Sequence, residues 1–225
     1  HLLVMDQSLT EENYLKAIYS LSKTQPKGVS TKSIGLSLEI KPPTVSDMLK
    51  KLSDKKLIQY ALYKGVLPTL MGEKIALKVI RKHRLWETFL VEHFNFKWDE
   101  VHDIAEQLEH IKSPELVQRL DEYLDFPEHD PHGDPIPDKD GNIKIRHKRT
   151  LDQVTENERI IMVGVKDHTS EFLKYLDSIE VKLGSEILVN QIIEYDKSFL
   201  VEIREEKKKT KRSLSFLVCK NILVS

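Results

Sequence analysis

The chain has 225 residues, of which 40% are hydrophobic and 32% charged. This composition is ordinary for a folded protein of two or three small domains and does not favour a disordered chain. The single cysteine, Cys219, excludes an intrachain disulfide and a cysteine-based zinc site, and it favours a reducing compartment. Because no apolar run approaches the roughly 20 residues of a membrane span and no signal-peptide pattern opens the chain, we expect a cytoplasmic protein.

The net charge of −1 conceals two regions of opposite charge. Residues 1–71 carry ten lysines against six acidic residues, a balance of +4. Residues 99–140 carry fourteen acidic residues against three basic ones, a balance of −11. The first region can approach a polyanion, and the second can concentrate a divalent cation.

Residues 6–70 are predicted to form three helices followed by a hairpin. Thr10 opens the first helix, Ser30 caps the second, and Pro42 and Pro43 begin the third. Two strand-like runs around Lys64-Gly65 predict the hairpin. Three helices and a hairpin in a net basic segment are typical of a winged helix-turn-helix DNA-binding domain.

In such a domain the third helix presents its first residues to base edges, while nearby lysines hold the phosphate backbone. The alternative is that the three helices only form a core and the lysines are solvated. The predicted DNA-binding residues are Lys32, Lys41, Pro43, Thr44, Ser46, Asp47, Lys50, Lys51 and Lys64.

Residues 71–138 are predicted to be helical and to carry two groups of possible metal ligands. His83 and Glu87 lie inside the apolar stripe of a long helix, where a carboxylate is costly unless it is paired or bound to a cation. A second group, spaced i, i+4, i+7 and i+8, lies on the polar face of the next helix, and periodicity alone predicts a solvated face. Its members are His102, Glu106, Glu109 and His110.

The remaining chain has a different pattern. Proline-rich residues 127–137 exclude regular structure and indicate a linker or a rigid cap. Residues 139–150 are predicted to be a linker. Strand-like runs with one short helix follow in residues 151–225, and a small SH3-like β-barrel is the expected fold. The predicted fold class is therefore mainly α with a small β domain.

Five motifs in chain order resemble the diphtheria toxin repressor and manganese transport regulator family. They are ENYLKAIY at 12–19, PPTVS at 42–46, RKHRLWE at 81–87, VHD at 101–103 with EH at 109–110, and PHGDPIP at 131–137. The resemblance implies a metal-activated homodimeric repressor of metal-uptake genes that binds a double-stranded DNA operator. It implies no catalytic activity, no membrane association and no small organic substrate. The implied domains are a winged helix, a helical dimerisation domain and a C-terminal SH3-like (FeoA-like) domain.

The same resemblance implies two metal sites. One would use His83, Glu87 and His102, completed by His168 and Glu171 from the third domain, with Asp130 and His132 as further candidates. The other would use Glu106, Glu109 and His110 with Asn13 from the first helix. Glu106 matches the manganese-sensing branch, so Mn(II) is favoured, Fe(II) is possible, and Zn(II) or Co(II) can substitute in vitro. Asn13 departs from the family pattern because it supplies a neutral amide oxygen.

Two other classes of function remain open from the sequence. Histidines and glutamates on facing helices could activate water in a metallohydrolase, although no oxyanion-stabilising set is evident. A winged-helix regulator with purely structural ions is the third possibility.

Overall fold

The structure is a computed structural model that describes residues 7–61, 65–144, 147–205 and 208–225. Lys64 of the predicted DNA-binding set lies outside these residues. The contacts divide the chain into two compact units. Unit 1 comprises His1–His83, Leu108–Ser113 and Pro137–Asn142, and unit 2 comprises Arg84–Gln107, Pro114–Ile136 and Ile143–Ser225.

Eight α-helices, one short 3-10 helix (Leu151–Gln153) and eight strands lie in the described residues. The helices are α1 (Leu9–Ser22), α2 (Thr31–Leu38), α3 (Pro42–Asp54), α4 (Leu70–Phe94), α5 (His102–Leu108), α6 (Pro114–Tyr123), α7 (Ser170–Ser178) and α8 (Phe216–Cys219). The strands are β1 (Ile58–Ala61), β2 (Gly65–Pro68), β3 (Arg149–Thr150), β4 (Arg159–Val165), β5 (Glu186–Ile192), β6 (Phe199–Glu205), β7 (Lys208–Leu214) and β8 (Ile222–Val224).

The first unit contains the predicted winged helix. Helices α1 to α3 pack around a core that includes Tyr14, Ile18, Val45 and Leu49, and β1 pairs with β2 as an antiparallel hairpin. Helix α1 begins one residue before the predicted Thr10, because Ser8 caps it and forms a capping box with Glu11.

Glu11 is a buried carboxylate inside this domain. Its side chain is only 1% exposed, yet Lys55 Nζ lies 2.7 and 2.9 Å from its two oxygens and Lys51 Nζ lies 3.0 Å from Oε1. Burial alone raises the pKa of Glu11, but the two lysines and the backbone amide of Ser8 outweigh it and hold the pKa below its usual value. The carboxylate therefore ties α1 to α3.

We expect Glu11→Gln to lower the free energy of unfolding by about 2 kcal/mol at neutral pH, because the amide cannot replace a buried ion pair. A carboxyl group whose pKa is lowered by folding stabilises the protein above its unfolded pKa and loses that effect as the pH falls. The difference between the two proteins should therefore shrink below about pH 4. Thermal and urea unfolding at several pH values measure this difference in free energy of unfolding. Glu39→Gln, at an exposed position, is the control, and an equal loss in both variants would contradict the assignment.

The second unit holds a helical cluster and a β domain. Leu85 of α4 packs with Leu120, Leu124 and Ile136. The β domain is an antiparallel sheet of order β3-β8-β4-β5-β6-β7 with a core that includes Met162 and Phe199.

The predicted SH3-like β-barrel is a six-stranded antiparallel sheet that does not close in the described residues. The edge strands β3 and β7 do not pair in the described residues. Bulges between Met162 and Gly164 in β4 and between Val189 and Gln191 in β5 curve the sheet. Because β3 is only two residues long, it offers too few hydrogen bonds to close a barrel. The rest of the predicted fold class is confirmed. A search of the described residues found no helix with both the length and the apolar character that a membrane crossing requires.

Candidate metal centre

Glu87 is the centre of the most concentrated group of possible ligands. It lies on α4, is 2% exposed, and its two oxygens face different histidines. Oε1 lies 3.4 Å from His102 Nδ1, and Oε2 lies 3.5 Å from His132 Nδ1. Ligand atoms of Glu87, Asp130 and His132 all lie within 4.8 Å of one another. Two carboxylates and an imidazole, all buried, therefore converge here.

His132 is held with one ring nitrogen directed at this group. Its Nε2 donates to the Trp98 carbonyl at 2.8 Å, so that in the neutral ring Nδ1 carries the lone pair. Nδ1 is too far from Glu87 Oε2 for a well-formed hydrogen bond and has no hydrogen-bond partner among the described residues. An imidazole lone pair facing a carboxylate requires a cation between or beside them, either a proton or a metal ion.

The loop that carries Asp130 and His132 is fixed by its own hydrogen bonds. Asp130 Oδ1 accepts from the backbone amides of His132 at 2.8 Å and Asp134 at 2.9 Å. Gly133 has a positive φ of 84°, and a Cβ there would lie 2.1 Å from the Val163 carbonyl oxygen. Only glycine allows this loop to approach β4 so closely.

Arg84 supports the same loop from α4. Its Nη2 lies 2.9 Å from Asp134 Oδ2, and its Nε lies 3.4 Å from Asp130 Oδ2. The second contact is long for a hydrogen bond, so Arg84 neutralises Asp130 only in part.

Protonation in this group follows from the excess of buried carboxylate. Burial raises the pKa of Asp130 to about 7, and the nearby carboxylates of Asp134 and Glu87 add to the effect. Burial opposes a charge on His132, but Glu87 and Asp130 outweigh it and raise its pKa to about 9. Both shifts show that the group attracts positive charge, so its oxygen and nitrogen donors suit a divalent cation.

His83 and His102 flank this group in different ways. His83 is buried one turn before Glu87 on the continuous helix α4, and its Nδ1 lies 2.6 Å from Glu109 Oε2. His102 begins α5 and its side chain is 52% exposed. A ligand from solvent can therefore reach the His102 side of Glu87.

Glu109 and His110 lie in unit 1, each with a close partner on α1. The buried Glu109 carboxylate receives Lys16 Nζ at 2.7 and 2.9 Å as well as His83. His110 Nδ1 lies 2.6 Å from Glu12 Oε2.

The other predicted ligands are more exposed. Asn13 is exposed on α1. Glu106 is 53% exposed, and its Oε1 lies 3.7 Å from His102 Nε2. The exposed His168 stacks on His132, with ring centroids 4.9 Å apart, whereas Glu171 lies exposed in the first turn of α7. Ligation by all these residues stays a prediction.

Sequence reasoning missed the partners that fix the ligands. Glu12, Lys16, Arg84, Trp98 and Asp134 contact candidate ligands across the fold. Glu12 adjoins Asn13, and Lys16 follows it by one helical turn. The first-helix motif therefore contained these contact residues, but spacing alone cannot show which side chain faces Glu109 or His110.

Most of the predicted DNA-binding residues lie at the start and along one side of α3, whereas Lys32 lies on α2. Most of them are exposed: Lys32, Lys41, Pro43, Thr44, Asp47, Lys50 and Lys51. Ser46 is half-buried and its hydroxyl donates to the Pro42 carbonyl at 3.2 Å. The Lys51 ammonium group also pairs with the Glu11 carboxylate. Lys41, Thr44 and Lys50 therefore offer exposed polar groups at and after the start of α3.

A winged helix joined to a helical domain rich in buried histidine and carboxylate defines the class of metal-dependent DNA-binding regulators. Three family models match the chain. Residues 7–66 match "Iron dependent repressor, N-terminal DNA binding domain". Residues 69–138 match "Iron dependent repressor, metal binding and dimerisation domain", and residues 149–225 match "FeoA domain".

Curated relatives and solved structures agree with these models. The diphtheria toxin repressor of Corynebacterium diphtheriae is 31% identical over 189 residues, covering 79% of this chain and 83% of that protein. The iron-dependent repressor IdeR of Mycobacterium leprae is 35% identical over 128 residues, and this match spans 57% of the chain and only 55% of the relative. The chain belongs to the diphtheria toxin repressor family of metal-dependent transcriptional repressors.

Structural similarity extends over nearly the whole chain. A manganese-dependent transcriptional repressor in complex with manganese has a TM-score of 0.82 and 32% identity, covering 95% of this chain and 98% of that one. The manganese regulator SloR has a TM-score of 0.71 at 32% identity, covering 96% and 97%. ScaR with bound Zn²⁺ has a TM-score of 0.74 at 32% identity, covering 96% and 98%.

Proposed function

We propose that this protein is a DNA-binding repressor activated by one class of divalent cation, Mn(II) in preference to Fe(II), and that it controls genes of metal uptake. The observation that carries the proposal is the buried Glu87 carboxylate facing Nδ1 of His132, whose other nitrogen is fixed by the Trp98 carbonyl. A repressor of this kind acts in the cytoplasm, where it meets DNA.

The proposed activating site uses His83, Glu87, His102, Asp130 and His132. Its donors are imidazole nitrogens and carboxylate oxygens, and it includes neither cysteine nor methionine. Hard oxygen donors favour Mn(II), Fe(II) accepts the same set, and Zn(II) or Co(II) would substitute in vitro. His168 and Glu171 are proposed as outer ligands because His168 stacks on His132.

When bound, the cation supplies positive charge to two buried carboxylates. His102, on α5, and His132, on the 130–134 loop, would both hold their lone pairs towards Glu87 of α4. His132 would lose the proton that Glu87 and Asp130 otherwise favour. Because these residues belong to different elements, their shared interaction fixes the mutual positions of those elements.

The proposed DNA contacts lie on α3 and before it. Thr44 at the front of α3 can reach base edges, while Lys41 and Lys50 lie where they can pair with phosphates. The remaining predicted contacts, including Lys32, stay part of the proposal.

Exposed apolar side chains in unit 2 support a homodimer. Phe94, Tyr123 and Phe126 are 61%, 63% and 58% exposed, and Phe89 packs against both Phe94 and Tyr123. Large exposed aromatic groups that lie together are typical of protein interfaces. A twofold dimer would present two α3 helices to the two halves of an operator.

Mn(II) is expected to strengthen DNA binding by about 5-fold to 150-fold, the usual range of allosteric coupling. Fluorescence anisotropy of a labelled duplex, selected from a random pool with Mn(II) present, measures the effect before and after addition of a chelator. Unchanged affinity after chelation would overturn the proposed function, and Ca(II) is the control for a simple effect of divalent charge.

A further inference from the structure

The carboxylate that would form the core of a second metal site already holds an internal cation. Glu109 is 1% exposed, and both of its oxygens receive the Lys16 ammonium group, at 2.7 and 2.9 Å. Lys16 Nζ also lies 3.4 Å from His83 Nδ1, which itself lies 2.6 Å from Glu109. The ammonium group, the carboxylate and the imidazole therefore lie in mutual contact.

The charges around Glu109 balance without an added ion. The Glu109 carboxylate contacts the Lys16 ammonium group on both oxygens and His83 Nδ1 on one of them. A divalent cation beside Glu109 would therefore meet an ammonium group that already pairs with the same carboxylate, and the like charges would repel.

Of the other residues of the predicted second site, Glu106 carries a carboxylate, but it is 53% exposed and its Oε1 lies 3.7 Å from His102 Nε2. Asn13 is neutral and exposed on α1. His110 Nδ1 is engaged with Glu12 at 2.6 Å. Neither side chain supplies the anionic oxygen that would attract Mn(II) into a group already occupied by Lys16.

We propose that Lys16 permanently replaces the second metal ion, so that each protomer binds a single activating cation, at the Glu87 group, which comprises Glu87, His102, Asp130 and His132. The salt bridge from Lys16 to Glu109 joins α1 to the segment Leu108–Ser113 inside unit 1. That connection then exists without metal, and the metal response depends on the Glu87 group alone. The inference rests on the proposed function only for that last statement.

Counting Mn(II) ions per protomer by equilibrium dialysis and elemental analysis tests the inference on the full-length protein. The wild type should bind one ion, and Glu109→Gln should still bind one. Lys16→Gln should bind two, because removal of the ammonium group leaves the buried Glu109 carboxylate without its counter-charge. The double variant that carries Lys16→Gln and Glu109→Gln should again bind one Mn(II) ion per protomer. Lys55→Gln is the matched control, since it removes a lysine from another buried glutamate, Glu11, and should leave the count at one.

Thermal unfolding provides a second measurement. In chelator, both Lys16→Gln and Lys55→Gln should melt below the wild type, but Mn(II) should restore the lost stability selectively in Lys16→Gln. A wild type that binds two ions and loses one in Glu109→Gln would overturn the inference. A count that stays at one in Lys16→Gln would overturn it as well.

The same measurements separate this inference from the proposed function. Glu87→Gln should lose the single ion of the wild type. Retention of that ion would contradict the proposed activating site, whereas the role of Lys16 is decided only by the variants at positions 16 and 109.

Discussion

Glu87→Gln is expected to abolish the activation of DNA binding by Mn(II) while leaving the protein folded. Replacing a neighbour that merely orients a metal ligand costs about 10-fold to 100-fold in affinity, so removal of the central carboxylate should cost about 100-fold or more. Glutamine keeps the size of the side chain but offers His102 and His132 no negative charge. The DNA affinity of the variant with Mn(II) present, measured by anisotropy titration, should therefore equal that of the wild type in chelator.

Glu92→Gln is a matched control for this variant. Glu92 lies on the same helix, five residues later, and is exposed. It should respond to Mn(II) as the wild type does, with similar circular dichroism in all three proteins. A normal Mn(II) response in Glu87→Gln would exclude Glu87 as a ligand of the activating ion.

The double substitution Lys41→Ala with Lys50→Ala is expected to weaken DNA binding by roughly 1000-fold near 0.1 M salt, without changing Mn(II) binding. If each lysine neutralises one phosphate in each protomer of a dimer, four counterion-release contacts disappear. The slope of log affinity against log salt concentration should then fall by roughly 3 to 4. Both side chains are exposed, so the fold should tolerate their loss.

Lys139→Ala with Lys166→Ala is the control for this experiment. Both residues are exposed and lie outside the winged helix, and their loss changes the net charge by the same amount. An equal loss of affinity in the two double variants would mean that DNA affinity depends only on the total charge of the protein. It would contradict the proposal that α3 contacts DNA.

The winged helix was predictable because its signals are local. Ser30 caps α2, Pro42 and Pro43 begin α3, and Gly65 begins the second strand of the hairpin. Each of these residues acts within a few positions of its own backbone. The small β domain was predicted from its apolar runs, but these runs cannot specify whether the sheet closes, because closure depends on pairing between strands far apart in sequence.

The need of Glu87 for a positively charged partner was predictable, because a carboxylate in an apolar stripe is costly without one. The family resemblance offered His132 as a candidate, but the residue pattern alone could not place it against Glu87. His132 comes from a proline-rich loop with no periodicity, and its orientation depends on the Trp98 carbonyl. In the same way, Lys16 looks like a solvated lysine on α1 until the fold places it against Glu109.

The central claim is that a cation at the Glu87 group and DNA at α3 favour the same state of the protein. Linkage requires that each ligand strengthen the binding of the other by the same factor. Isothermal titration of Mn(II) into the protein, with and without the saturating selected duplex, measures this directly. DNA should lower the dissociation constant of Mn(II), and Mn(II) should lower the dissociation constant of DNA, by the same factor. Mn(II) affinity that is identical in the presence and absence of the duplex would contradict it.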